Sequence, residues 1–426
     1  MNEKITALRG FLDASHSVYH AVDYLERTLS AAGYTRVLEG ETWQLVPGGK
    51  YYVNRGGSAL VAFRIPVGNP KGFLMSASHC DRPGFKVKEN FELTAAYTRL
   101  AVERYGGMLM APWLDRPLSI AGRVTVETDT GVETKLVDID RDLLLIPNVA
   151  IHMNRQANDG YKWNPAVDMI PLLGTKATAG KLQGILEEAA GGKILGHDLY
   201  LYVREGSRVW GVEEEFLSSA GLDDLECVWG CTQGFLTAAP SESIPVLCVF
   251  DSEEVGSCSV QGAASTLLTD TLGRISLALG KELPRLLANS FLVSADNAHA
   301  IHPNHPEFAD SANAPLLGGG VVLKFNANLS YCTDAVSAAI FRKVCGKAGV
   351  NVQTYCNRAD LPGGSTLGRI SLAQVSVPTA DIGLAQLAMH SCYETAAVSD
   401  ALDLEKAMAA YYGTTLEATP QGYTLG

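Results

Sequence analysis

The feature that most constrains the fold is an alternation of helix-like segments and short apolar strands in the second half of the chain. From about residue 206, segments such as DDLECVWGCTQGFLTA, SVQGAASTLLTDTLGRISLALG and TDAVSAAIFRKVCGKAG alternate with apolar runs such as IPVLCVF, NSFLVSA and VVLKF. Strands that alternate with helices in this way form α/β units around a largely parallel sheet. An earlier run, KGFLMSA, has the character of another strand of that sheet. We therefore predict an α/β fold with a mixed, largely parallel central sheet.

The middle of the chain has a different pattern. Runs such as SIAGRVTVET and TKLVDI, with the turn ETDTGVE, indicate β-structure between residues 89 and 205. A chain of 426 residues also exceeds the size of one ordinary hydrophobic core. We predict a discontinuous α/β domain, residues 1–88 and 206–426, into which a β-rich domain, residues 89–205, is inserted. Residues 3–33 are predicted to form helices.

Composition excludes several classes of protein. The formal net charge of −12 disfavours binding to nucleic acid or anionic membranes, since both need clustered Lys and Arg. No apolar run approaches the roughly 20 residues of a membrane span, and the first residues lack the apolar core of a signal peptide. The nine scattered cysteines are an odd number without a CxxC pair, which favours buried reduced thiols. We therefore expect a cytoplasmic protein.

Residues that bind metals or transfer protons follow the predicted strands. In open α/β sheets, ligands bind at the carboxyl ends of the strands. Two histidines with several carboxylates would suit zinc, manganese or cobalt. The strand-end residues are His79 and Asp81 after GFLMSA, Asp251, Glu253 and Glu254 after PVLCVF, Asp296 after FLVSA, and His390 after ADIGLAQLAM; Asp223 opens a predicted helix.

Each of these signals has an ordinary structural explanation when it is taken alone. A single histidine after a strand is usually hydrogen-bonded in a structural role, and the sequence DSEE is usually a solvated turn. For the histidine-rich loop SADNAHAIHPNH we favour loop packing over direct metal binding. Composition does not separate Asp223 from Asp224 as the candidate ligand.

A set of motifs in a fixed order adds a family resemblance. The motifs are SASHCDRPGFKVK, YGGMLMAPWLDRPLSIAGRV, IPNVAIHMNR, LDDL, DSEEVGS, SADNAHAIHPNH, RADLPGGSTLG and QLAMHS. With them, the sequence resembles the aspartyl aminopeptidase family of metallopeptidases from about residue 10 to its end. The resemblance implies a zinc-exopeptidase-like three-layer sandwich with an inserted β-rich dimerisation domain, two divalent metal ions per subunit (zinc, with cobalt or manganese also compatible), and a tetrahedral dodecamer built from dimers.

The same resemblance assigns roles to the strand-end residues. Glu253 would be the general base, and Asp81 would orient His79. The implied ligands are His79, Asp223 and Asp296 for one metal, and Asp223, Glu254 and His390 for the second, with Asp223 bridging the two.

Three further roles concern the substrate and the neighbouring subunit. By resemblance, His152 would reach into the active site of a neighbouring subunit. Lys324 and Tyr331 would face an acidic substrate side chain, because a desolvated carboxylate needs a charged partner. A strand-edge lysine is the ordinary alternative for Lys324. Gly221 stands where the family usually has arginine, so the strictness of the acidic preference is left open.

The function expected from these observations is an aminopeptidase that releases N-terminal Asp or Glu from peptides through a metal-bridging hydroxide. An aminopeptidase of broader specificity or a deacylase would use similar ligands. A catalytically silent assembly protein would keep the scaffold alone, but the seven expected chemical positions are intact. An acidic α/β protein with ordinary surface turns would not explain ligand-type residues at four strand ends.

Overall fold

The computed structural model describes residues 2–361 and 363–426. Its helices are α1 (Glu3–Ala14), α2 (Val18–Ala31), α3 (Lys181–Ala190), α4 (Leu222–Thr237), α5 (Leu267–Ala278), α6 (Leu283–Leu287), α7 (Ala335–Ala348), α8 (Leu367–Gln374) and α9 (Val398–Tyr412). Its strands are β1 (Thr35–Arg36), β2 (Lys50–Arg55), β3 (Ala59–Arg64), β4 (Phe73–His79), β5 (Gly84–Thr94), β6 (Tyr97–Tyr105), β7 (Leu118–Thr128), β8 (Gly131–Asp138), β9 (Leu172–Thr175), β10 (Ile194–Val203), β11 (Arg208–Trp210), β12 (Phe216–Ser219), β13 (Ile244–Phe250), β14 (Phe291–Ala295), β15 (Ala298–His299), β16 (Val321–Phe325), β17 (Val352–Cys356), β18 (Thr379–Gly383), β19 (Ala385–Leu387), β20 (Glu394–Ala397), β21 (Leu416–Thr419) and β22 (Gly422–Leu425).

A nine-stranded mixed sheet forms the centre of the α/β part. Its strand order is β1-β2-β3-β13-β4-β14-β18-β16-β17. The central strands β13, β4, β14 and β18 are mutually parallel, whereas β2, β3 and β16 introduce antiparallel pairs. The predicted α/β fold with a mixed sheet is therefore confirmed, and the early run KGFLMSA supplies β4 at its middle.

The central strands are apolar along their whole length because helices cover both faces of the sheet. Along β13, Leu247 and Val249 pack into one core, while Val246 and Cys248 pack into the other. This alternation is the period of two that a strand imposes on its side chains. Helices α1, α2, α4, α7 and α9 contribute to the first core, and α5, α6 and α8 to the second.

A separate antiparallel sheet lies between the early and late strands in sequence. Its strand order is β8-β7-β10-β5-β6-β9. It has its own apolar core, to which α3 contributes Leu182 and Leu186. The first of these strands, β5, begins at Gly84, a few residues before the predicted boundary at residue 88. The domain boundaries themselves stay a prediction.

Two features differ from the sequence-based expectation. A five-stranded sheet, β11-β12-β20-β19-β15, lies beside the nine-stranded one. All five strands have only two to four residues, which is too short for a recognisable alternation. The segment beginning SVQGAAS was expected to be helical throughout, but α5 begins only at Leu267. The Gly- and Ser-containing stretch before it forms turns instead.

Two structural features concern the cellular environment that the sequence predicted. In the part of the chain that the structure describes, no helix combines the length and apolarity needed to cross a membrane. The nine cysteines are unpaired, and six of them are buried, as expected for reduced thiols; Cys258 is exposed.

Candidate metal centre and active site

Three neighbouring strands deliver candidate ligands to one edge of the sheet. His79 is the last residue of β4, and it is paired in register with Phe250 at the end of β13. Glu253 and Glu254 follow β13 in a single 3-10 turn, and Asp296 directly follows β14. Because these strands are parallel, their carboxyl ends lie together, as the sequence predicted.

The carboxylate of Asp223 lies between two imidazoles. Its Oδ1 is 3.4 Å from His79 Nε2, and its Oδ2 is 3.4 Å from His390 Nε2. Asp223 is buried at the start of α4, where its backbone N–H donates to Glu394. One carboxylate thus offers an oxygen to each of two histidines that are far apart in the sequence.

Backbone carbonyls fix the orientation of both histidines. His79 Nδ1 lies 3.0 Å from the carbonyl oxygen of Asp81, and His390 Nδ1 lies 2.5 Å from that of Gly107. A carbonyl only accepts, so each Nδ1 carries a proton and each Nε2 is directed at Asp223. Histidine ligands of metals commonly hold their second ring nitrogen in this way.

Two further sets of side chains converge at His79. Ligand atoms of His79, Asp223 and Glu254 all lie within 4.8 Å of one another, as do those of His79, Glu253 and Asp296. Glu254 Oε1 is also 3.4 Å from His390 Nε2. The structure therefore brings together the six residues that the sequence grouped: His79, Asp223, Glu253, Glu254, Asp296 and His390.

The donor atoms of this cluster fit divalent cations. Asp223 Oδ1 and Glu254 Oε1 are buried and have no hydrogen-bond partner among the described residues. Buried carboxylates need a compensating charge, and imidazole and carboxylate are ligands that zinc accepts.

The charges of the cluster also shift its proton affinities. Burial raises the pKa of Glu253 to about 8, and the charges of Asp296 and Asp81 add to this effect although His79 opposes it. Burial lowers the pKa of His79, but the carboxylates of Asp223 and Asp81 outweigh burial, so the net pKa is raised. A cation bound at Nε2 would replace that proton.

Asp81 contacts more of the site than the sequence suggested. Its Oδ1 is 3.4 Å from His79 Nδ1, but the shorter contact to that nitrogen comes from its backbone oxygen. The carboxylate accepts the N–H groups of Glu253 and Glu254 at 3.0 and 3.1 Å, and the hydroxyl of Tyr105 at 2.8 Å. Asp81 therefore joins the end of β4 to the turn that carries both glutamates.

Lys324 and Tyr331 lie in the same cavity as the cluster. The cavity has a volume of about 500 Å³ and is also lined by His299 and Tyr355. Lys324 Nζ donates to the backbone oxygens of Asp296 and Asn297 at 2.7 and 3.2 Å and lies 5.1 Å from the centroid of the Tyr331 ring. The predicted strand-edge alternative for Lys324 does not hold, because its side chain is buried.

His152 is not part of this cavity. It lies in an exposed turn between β8 and β9, and it is not among the residues of this chain that line the cavity. Exposed apolar side chains surround it in sequence, with Ile151 49 % and Met153 79 % exposed.

Sequence reasoning missed a carboxylate beneath the cluster. Glu394, the first residue of β20, is buried and accepts the backbone N–H groups of Asp223 and His390. Its only sequence signal is its position four residues after His390. It was overlooked because it follows no predicted strand.

Comparisons with known proteins give the class and then the family. The sequence matches the profile described as "Aminopeptidase I zinc metalloprotease (M18)" over residues 11–412. It is 40 % identical over 423 residues to the "Probable M18 family aminopeptidase 2" of Clostridium acetobutylicum, covering 94 % of this chain and 96 % of that protein. These matches define a zinc-dependent metallo-aminopeptidase. The chain belongs to the M18 family.

Solved structures agree with this assignment. A chain of the cryo-EM structure of the Ape4 and Nbr1 complex superposes with a TM-score of 0.93 at 34 % identity, covering 96 % of this chain and 85 % of that one. The S. cerevisiae mApe1 dodecamer superposes with a TM-score of 0.84 at 26 % identity, covering 96 % and 95 %.

Proposed function

We propose that the protein is a two-metal aminopeptidase that removes acidic residues from the N-termini of peptides. The position of Asp223 is the main support for two metal sites, because each of its two carboxylate oxygens faces a different histidine at 3.4 Å. His79, Asp223 and Asp296 would hold one divalent ion, and Asp223, Glu254 and His390 the other. Two zinc ions held there would act as Lewis acids toward the peptide carbonyl and would lower the pKa of an attacking water molecule.

Glu253 is suited to the proton transfers. Ligand atoms of Glu253, His79 and Asp296 lie within 4.8 Å of one another. The family resemblance assigns the metals to other residues and leaves Glu253 outside both ligand sets. A general base must lie within reach of the water that it deprotonates, and Glu253 lines the same cavity as the proposed ligands. Glu253 would accept the proton of the attacking water and return it to the leaving amine.

The acidic preference is supported by Lys324. Among the described residues, it is the only lysine or arginine that lines the cavity. Its ammonium group donates to the backbone oxygens of Asp296 and Asn297 and also lies 3.5 Å from Asp296 Oδ1. A substrate carboxylate beside it would gain a charge-assisted hydrogen bond. Tyr331, packed against Lys324, would border the same substrate side chain.

An N-terminal residue panel tests this specificity. Zinc-reconstituted protein should hydrolyse Asp and Glu arylamides with the highest kcat/KM. A variant Glu253→Gln should keep its zinc and lose about 10²- to 10⁴-fold in kcat. Glu242→Gln, a change at an exposed ion pair with Lys71, is the control and should behave as the wild type. Equal cleavage of neutral residues would favour the broader-specificity alternative, and a zinc-loaded protein without turnover would favour a silent assembly protein.

We further propose that the β-rich region, residues 89–205, is a dimerisation domain and that the chain forms a homo-oligomer, a tetrahedral dodecamer. Exposed apolar side chains on the segment around His152 support an interface there, namely Val149, Ile151, Met153 and Val167. Exposed apolar patches commonly mark protein contacts. The mass in solution, measured by light scattering, tests the assembly.

His152 would complete the active site of the neighbouring subunit by stabilising the developing oxyanion. Subunit mixing tests this assignment. His152→Ala and Glu253→Gln should each be inactive, and an equimolar mixture assembled together should regain activity, because some sites then combine an intact His152 with an intact Glu253. If mixed oligomers of verified mass stay inactive, His152 does not act in the active site of the neighbouring subunit.

A further inference from the structure

Glu394 has an unusual position beneath the candidate metal centre. Its side chain is 1 % exposed, and its two carboxylate oxygens have different partners. Oε1 accepts the N–H of His390 at 2.7 Å, and Oε2 accepts the N–H of Asp223 at 3.0 Å. One buried carboxylate therefore holds the backbones of two proposed ligands.

The strand pairing explains how one side chain reaches both segments. β12 and β20 are antiparallel neighbours, and Ser219 at the end of β12 pairs with Glu394 at the start of β20. The chain leaves β12 toward Asp223 and enters β20 from His390, and each of these residues lies four positions from the pair. Neither segment has regular structure where it carries its ligand: Asp223 has non-helical backbone angles, and His390 has a φ of 66°. Glu394 replaces the hydrogen bonds that regular structure would have supplied.

The half-buried side chain of Arg82 lies near this carboxylate. Arg82 and Glu394 line the same small cavity, about 40 Å³ in volume, behind the metal centre. Arg82 Nη2 donates to the backbone oxygen of His16 at 2.8 Å. Burial lowers the pKa of Arg82 to about 10, and the negative charge of Glu394 acts against this decrease. The role of Glu394 as an acceptor follows from geometry, because a backbone N–H is directed at each of its two oxygens.

We propose that Glu394 is a positioning residue that fixes the separation of Asp223 and His390 and so sets the affinity of the second metal site. This inference rests on the proposed ligand set. Asp223 and His390 are two of the three protein ligands proposed for that site. Replacing residues that orient metal ligands typically costs about ten- to a hundredfold in metal affinity. Glu394 does not contact substrate in this proposal, so its effect passes through the two ligands.

Zinc titration of the chelator-treated protein tests the proposal. Wild-type protein should bind two zinc ions per chain. Glu394→Gln keeps the size of the side chain but replaces one acceptor with an N–H group that faces a backbone N–H. We expect the weaker zinc equivalent to lose about ten- to a hundredfold in affinity, with kcat decreasing more than KM changes.

Glu405→Gln is the matched control. Glu405 is also a buried glutamate, but it pairs with Lys4 and lies on α9, away from the proposed ligands. If Glu394 only stabilised the fold, both variants would lower the melting temperature of the metal-free protein, and neither would lower the zinc affinity.

The possible outcomes separate the two proposals. Wild-type protein that binds fewer than two zinc ions would overturn the proposed two-metal function itself. The role of Glu394 would be overturned, and the two-metal function would stand, under a different result. In that case wild-type protein binds two zinc ions, and both dissociation constants of Glu394→Gln lie within threefold of the wild-type values. Should Glu394→Gln not fold, Glu394→Asp decides: it keeps the charge but is too short to reach both N–H groups, so unchanged zinc affinity in that variant would equally overturn the role.

Discussion

Lys324 Nζ lies 2.7 Å from the backbone oxygen of Asp296 and 3.5 Å from its Oδ1. Burial lowers the pKa of Lys324, but the charge of Asp296 and other acidic groups outweighs it, so the net pKa is raised and the ammonium stays charged. The same cation thus supports a proposed metal ligand and faces the cavity where a substrate would bind.

This geometry predicts a selective loss in Lys324→Met. Without the ammonium, a bound substrate carboxylate is buried unpaired, which costs about 2–5 kcal/mol. We expect kcat/KM to decrease at least about thirtyfold for Asp and Glu arylamides and by clearly less for Ala or Leu arylamides. Lys343→Met, at an exposed position of α7, should leave both unchanged. Equal losses on acidic and neutral substrates would mean that Lys324 only supports Asp296.

The side chain of Arg82 fills the space that a side chain at position 221 would need. A Cβ at Gly221 would lie 2.7 Å from Arg82 Nη1, and Gly221 has a φ of 67°, in the left-handed region that favours glycine. Gly221→Ala should therefore lower the stability by about 1–3 kcal/mol, measured by chemical unfolding. In an Arg82→Ala background the steric part of the loss should disappear while the backbone part persists. Strict additivity of the two changes would contradict a clash between them.

The contact between α4 and α9 depends on small residues. A Cβ at Gly234 would lie 2.5 Å from Met408 Cβ and 2.8 Å from the backbone nitrogen of Ala409. These steric overlaps can be removed only if the two helices move apart. Gly234→Ala should destabilise the protein by about 1–3 kcal/mol despite the better helix propensity of alanine. Gly346→Ala in α7 is the matched control, because nothing lies within 4 Å of its Cβ position. That variant should be stabilised by up to about 1 kcal/mol. Comparable unfolding free energies for the two variants would refute the close approach.

The ion pairs of Asp198 predict a pH dependence of stability. Burial raises the pKa of Asp198, but hydrogen bonds and charge from Lys86 and Arg123 outweigh burial, so the net pKa lies below its ordinary value. A lowered pKa stabilises the folded state above the ordinary value of about 4, and this contribution is lost as the pH falls through the lower folded pKa. At pH 7, Asp198→Asn should be less stable than the wild type by about 1–2 kcal/mol.

The difference between wild type and Asp198→Asn should shrink as the pH is lowered below about 4. This difference in unfolding free energy is measured by denaturant unfolding of the six-stranded sheet at several pH values. Asp129→Asn, in the exposed turn between β7 and β8, should show no such convergence. A constant difference across the series would assign the effect of Asp198→Asn to packing instead.

The sequence predicted the parts of the site that depend on long strands. β4, β13 and β14 are apolar strands; β4 ends at His79, and Asp251 and Asp296 directly follow β13 and β14. The shared edge of the sheet could therefore be inferred. Asp223 was placed by resemblance, since composition did not distinguish it from Asp224.

The supporting contacts were not predictable for physical reasons. The Nδ1 atoms of His79 and His390 are held by backbone carbonyls, which every residue possesses and no sequence pattern marks. Glu394 lies in a sheet of very short strands, and its partners are backbone N–H groups distant in sequence. The role of Asp81 as an acceptor for the turn at Glu253 likewise depends on how two strand ends meet in space.

The segment after β6 reaches back to the candidate metal centre. His390 Nδ1 contacts the carbonyl of Gly107, the carbonyl of His390 accepts the N–H of Leu109, and a Cβ at Gly106 would lie 3.1 Å from Glu254 Cβ. A chain shortened to the helices and the nine-stranded sheet would keep most of the charged side chains and lose the support for one histidine and one glutamate. Deleting the predicted β-rich region would therefore also remove contacts to the candidate metal centre, and we expect such a shortened chain to bind metal less well.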